Sequence, residues 1–162
     1  MAQPVVSWYS MENTTQITQW PIGTIDAGNT SPDTTFLIWN NRGGSTAVSD
    51  MTNCTITTKD VSGGNGGTDA NNITNEVVFK KFIEARVDTM SETTFTPIGG
   101  VTTKAIKAGG TAPAGTIKGT ANDGTKTNAA ANFAQVTLHA KVDPLATAGN
   151  VDFLLRIAYQ YS

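Results

Sequence analysis

The chain has 162 residues, 38% apolar and 15% charged, with a formal net charge of −2. Its length suits one domain that buries roughly 70% of its unfolded surface, and its charge argues against a protein that holds nucleic acid by neutralising phosphates. No run approaches the roughly 18 apolar residues of a membrane-spanning helix, and the single cysteine, Cys54, precludes an internal disulfide.

The opening stretch MAQPVVSWYSMENTTQ has neither the basic start nor the apolar run of a signal peptide. Residues 1–16 read as an arm or anchor segment ahead of a domain at 17–162. Trp8, Tyr9 and Trp20, set in polar surroundings, are the candidate partner-binding residues. Such aromatics suit an apolar anchor or a stack on sugar, and the alternative is packing beneath an edge strand. ITQWPIGTI, residues 17–25, reads as that edge strand, because Pro21 cannot donate to a ladder.

FLIW, residues 36–39, is apolar at every position and predicts a central strand covered on both faces. NNRGGS follows it as a phosphate loop would, but it has no lysine after the glycines and leads into another strand. It is therefore expected to turn the chain, with Arg42 pointing into solvent. NCTITTKD alternates weakly, with Cys54 and Ile56 inward as core residues. DVSGGNGGTDANNITN, residues 60–75, is a long polar connection. Its GGNGGTD stretch invites a calcium turn built from Asp60, Asn65 and Asp69, against a plain flexible loop, since the known calcium repeat works in stacked copies.

FIEARVD alternates Ile83, Ala85 and Val87 with Glu84, Arg86 and Asp88 and predicts a strand. TNAAANFA can form one helical turn, and no segment has a longer helical stripe. In NFAQVTLHAKV the residues Ala134, Val136, Leu138, Ala140 and Val142 share one face, and Gln135, Thr137, His139 and Lys141 share a face expected to be solvated. VDFLLRIAYQYS repeats the pattern from Val151 to Tyr161, and DPLATAGN between the two predicts an antiparallel hairpin. The pattern as a whole predicts an all-β, antiparallel, single-domain sandwich, with a barrel as the lesser option.

The chemistry-bearing residues are sparse. His139 is the only histidine and is read as structural. One histidine and one cysteine cannot build the usual zinc sites, so no metal or cofactor is expected. No carboxylate pair is singled out by spacing. Residues 1–79 hold seven acids against Arg42 and Lys59, and residues 93–142 hold five lysines against Asp123. The two regions suit a solvated surface or complementary docking patches. Four Asn-x-Ser/Thr triplets, at Asn13, Asn29, Asn53 and Asn72, are close to the chance number in so Thr-rich a chain.

IGTIDAGNTS, followed by TFLIWNNRGGS and CTITTKD, resembles the opening of immunoglobulin-like sandwich domains, and FAQVTLHAKVDPLATAGNVDFLLRIAYQY is similar to their last hairpin. The wording of GTIDAGNTSPDTTFLIWNNRGG and VSDMTN, with FTPIGG and GTIKGTANDGT, resembles small virion structural proteins of tailed bacteriophages. That resemblance implies a non-enzymatic capsid decoration protein, made in the host bacterial cytoplasm and residing in the virion. It would bind and reinforce the head shell through the major capsid protein or other virion proteins, as a homo-oligomer on the particle. A neck or tail component and a carbohydrate-binding immunoglobulin-like module are the alternatives. Neither nucleic acid nor membrane is expected as a partner. The family carries no catalytic motif to transfer.

Overall fold

Two-residue alternation sorts the apolar side chains of this protein onto the facing surfaces of two antiparallel sheets. The computed structural model describes residues 1–66 and 73–162. Among them are the strands β1 (Val6–Ser10), β2 (Thr34–Asn40), β3 (Thr52–Lys59), β4 (Ile83–Val87), β5 (Thr96–Ile98), β6 (Lys104–Ala105), β7 (Phe133–Ala140) and β8 (Leu154–Gln160). The larger sheet runs β1-β2-β7-β4-β5 and the smaller β6-β3-β8. The result is an all-β sandwich.

The expected inward sets meet between the sheets. Phe36 and Ile38 of β2, Ile83, Ala85 and Val87 of β4, and Ala134, Val136, Leu138 and Ala140 of β7 pack against Cys54 and Ile56 of β3. Leu155, Ile157 and Tyr159 of β8 complete the layer, half-buried. β2 is central and covered on both sides, as its composition predicts. Its other face packs Leu37 and Trp39 against Ala129, Phe133 and Tyr9.

Buried amides fasten the loops at one end of the sandwich. Asn40 Nδ2 donates to the carbonyls of Ser49 and Ile117, and its Oδ1 accepts from the amide of Val5. Asn41 Nδ2 reaches the carbonyls of Thr46 and Gly119, and Asn132 Nδ2 those of Lys118 and Thr120. Residues 106–129, which carry almost no regular structure, are thereby tied to β2 and to the start of β7 at Ile117–Thr120. Gly119 is placed so tightly that a Cβ there would lie 2.3 Å from the Val48 carbonyl oxygen.

Several expectations need correction. The terminal pair is not a hairpin: β7 is flanked by β2 and β4, so both its edges are occupied, and β8 crosses to the other sheet to pair with β3. The edge strand near the N-terminus is Val6–Ser10, paired with β2, rather than 17–25, and part of the expected arm is thus built into the sheet. Residues 15–17 merely cap that edge, where the Ile17 amide donates to the Trp8 carbonyl. A short helix, α1 (Ile73–Phe79), was not foreseen; seven residues are too few to establish a helical stripe in sequence. The turn expected in TNAAANFA is a 3-10 turn at Ala130–Asn132.

Candidate functional site

The clearest concavity is a groove of about 780 Å³ between β1, the segment Ile17–Pro21 and the stretch Val151–Leu155. Its floor is aromatic. Trp8 and Trp20 both stand edge-on to Phe36, with centroids 5.9 and 5.8 Å away, and Trp20 meets Phe153 at 6.1 Å. Trp8 is placed there by the inward parity of β1, and Phe36 by that of β2. Trp20 arrives from a segment with no strand pairing, anchored by its ring rather than by a ladder. Asp152 is the one charged residue in the lining among the described residues.

Of the three aromatics expected to act together, the structure unites Trp8 and Trp20 and separates Tyr9. Tyr9 has the opposite parity on β1, and its ring lies under the guanidinium of Arg42, 3.8 Å from the ring centroid. Arg42 therefore does not point into solvent: its Nε and Nη2 also donate to the side chain and carbonyl of Asn13. The NNRGGS turn is as expected in its backbone, with Asn41 and Gly43 both at positive φ.

The expected solvated face of β7 is covered, and sequence reasoning missed a polar cluster there. His139, 8% exposed, accepts or donates at both ring nitrogens, with Nδ1 3.0 Å from Asp33 Oδ1 and Nε2 2.7 Å from Glu84 Oε1. A carboxylate oxygen thus stands at each ring nitrogen. The Phe95 ring lies 3.9 Å from the imidazole and 5.0 Å from the Arg86 guanidinium. Beside it, Asp88 accepts from Thr137 Oγ1 at 2.6 Å, Arg86 Nε at 2.8 Å and Gln135 Nε2 at 3.1 Å. Burial tends to raise the Asp88 carboxyl, but these donors outweigh it and hold the group below its ordinary value. Register could have signalled the Glu84–His139 pair, since the two are opposed on adjacent strands. Asp33, from a loop, left no such signal.

The remaining candidates are structural in their contacts. Cys54 is buried, and burial pushes its thiol up to about 11, against a lowering hydrogen bond from the Ile117 backbone. Asp60 caps its own turn, accepting from the amides of Ser62 and Gly64, and Lys59 donates to Asn65. Asp69, the third member of the expected calcium turn, lies outside the described residues, as does Asn72. Among the described residues no group of three His, Cys, Asp or Glu side chains is placed to hold a metal ion. One link between the oppositely charged regions is internal: Lys118 Nζ lies 2.9 Å from Asp50 Oδ2.

Comparison with models of protein families, with curated proteins and with solved structures finds no match to this chain.

Proposed function

We propose that the protein is a non-enzymatic structural component of a tailed-bacteriophage particle, a capsid decoration protein that docks on the major capsid protein and reinforces the head shell. The observation that carries the reading is the aromatic groove of Trp8, Trp20, Phe36 and Phe153, an apolar anchoring surface on a firmly packed body. The sequence resemblance to virion proteins supplies the particle. The groups best suited to chemistry are engaged elsewhere: His139 is locked between Asp33 and Glu84, and Cys54 lies in the core. Copies on a shell would occupy symmetry-related positions and form their contacts there. The carbohydrate-binding alternative would draw on the same groove through Trp8 and Trp20, while Tyr9 faces away under Arg42.

The test is to locate the protein in purified virions by immunogold labelling and electron microscopy. Regular label over the head is the expected result. Label confined to the neck or tail would reassign the protein within the particle, and its absence from virions would refute the reading.

A further inference from the structure

We propose that the aromatic groove is a strand-accepting site: it takes one extended segment of a partner polypeptide, with alternating apolar side chains and a basic residue at one end, as a new strand on the free edge of β8. The inference rests on the docking role above for the identity of the partner, but not for the chemistry of the groove.

The backbone directions define the free edge. In β3 the Cys54 carbonyl accepts from Ile106, its amide donates to Gly115, and the Thr58 carbonyl accepts from Gly100. Even-numbered residues of β3 therefore face β6, and Thr55, Thr57 and Lys59 face β8, because backbone groups alternate edges along a strand. Their partners in register are Ala158, Arg156 and Leu154. The amides and carbonyls of Leu155, Ile157 and Tyr159 thus point away from β3, and no group among the described residues bonds to them. Across the groove, the backbone of Thr18–Pro21 likewise makes no backbone hydrogen bond among the described residues.

The side chains reveal the same gap. Phe153, Leu155, Ile157 and Tyr159 have the inward parity yet are only half-buried, whereas Cys54 and Ile56 on β3 and Val136 and Leu138 on β7 are closed off from solvent. The small sheet stops one strand short of covering Trp8 and Trp20. Exposed edges are ordinarily blunted by proline, charged side chains or a bulge; Leu154–Gln160 contains neither proline nor lysine, and its one charge, Arg156, has the outward parity, opposite to Leu155 and Ile157. A strand added about 4.8 Å beyond β8 would satisfy these backbone groups, and its stretch opposite Val151–Leu155, where this edge lines the groove, would lay alternate side chains on the aromatic floor, the mode known as β-augmentation. Thr18–Pro21 lines the far side of the groove. Among the described residues Asp152 is the only charge in the lining, so it favours a basic end on the segment.

The test uses the full chain and a short peptide that alternates valine or isoleucine with threonine after an N-terminal lysine. Residue-resolved hydrogen exchange should show the amides of Leu155, Ile157 and Tyr159 slowed about tenfold or more by the peptide, with those of Leu154, Arg156 and Ala158 unchanged. The same peptide with alternate backbone nitrogens methylated should bind about tenfold more weakly. A glutamate in place of its lysine should also weaken binding, and Asp152→Asn should erase that preference. The proposal is overturned if the peptide fails to bind up to about 1 mM, or if the methylated form binds equally, which would mean apolar adhesion alone. Edge protection that grows with protein concentration in the absence of peptide would also overturn it, in favour of a second copy. Failure with the pure protein would leave the particle role standing, and absence from virions would leave the groove result intact.

Discussion

Replacing His139 with alanine tests whether the outer face of β7 is closed. The ring is removed from between Glu84, whose side chain is 16% exposed, and Asp33, whose side chain is 53% exposed. A hydrogen bond to a charged group in the setting of Glu84 is worth about 1.5–3 kcal/mol. The Asp33 bond, screened by solvent, adds about 0.3 kcal/mol, and the Phe95 stack about 0.5–1 kcal/mol. His139→Ala should therefore cost about 2–4 kcal/mol, read as a lower urea midpoint at unchanged slope near neutral pH. A double-mutant cycle with Glu84→Ala isolates the pair, and its coupling should exceed about 1 kcal/mol. A loss within about 0.5 kcal/mol, the scale of an exposed site, together with negligible coupling, would refute the closed face and return His139 to solvent.

The rest of the structure is equally open to perturbation. Phe36→Ala, at a position 3% exposed and braced by both groove tryptophans, should cost about 3–5 kcal/mol and shift tryptophan emission to the red; unchanged emission would dissociate Phe36 from the groove. Leu155→Ala, on a half-buried edge strand, should cost less, about 1–2 kcal/mol in the same urea assay. Gly119→Ala should cost about 1–3 kcal/mol, because its Cβ would meet the backbone oxygens of Val48 and Ser49 at 2.3 and 2.6 Å. Since the Asp88 carboxyl is held below 3.8 in the folded state, the stability it lends is present above that value and is lost as pH falls through the lower folded one. Asp88→Asn should therefore flatten the acid limb of an unfolding profile below about pH 4.

Facing was legible in the sequence, and neighbourhood was not. Alternation placed Cys54 and Ile56, Ile83 to Val87, Ala134 to Ala140 and Leu155 to Tyr159 on the correct inner surfaces, because side-chain parity is local to each strand. Pairing is a property of edges, and a strand has only two. A short connection suggested that β7 and β8 adjoin, yet β2 and β4, about a hundred and about fifty residues upstream, already hold both edges of β7. The same limit hid the polar cluster: alternation identifies the face that carries His139, but not that Phe95 and Asp33 arrive to cover it. In the groove, Trp8 and Trp20 were legible as large aromatics in a polar stretch, and the structure brings the two together, while Tyr9 failed the simple rule that adjacent residues on a strand look in opposite directions.

The order of strands also sets a schedule for synthesis. β2, the most apolar segment of the chain, has one neighbour that emerges before it and another, β7, that is not complete until Ala140. At about 5–20 residues per second of elongation, Phe36 to Trp39 wait roughly 5–20 s on the ribosome with one edge and much of both faces uncovered. During that interval the nascent chain presents a stretch that holdase chaperones bind, and a cell making many copies at once must keep those stretches from finding one another before residue 140 arrives.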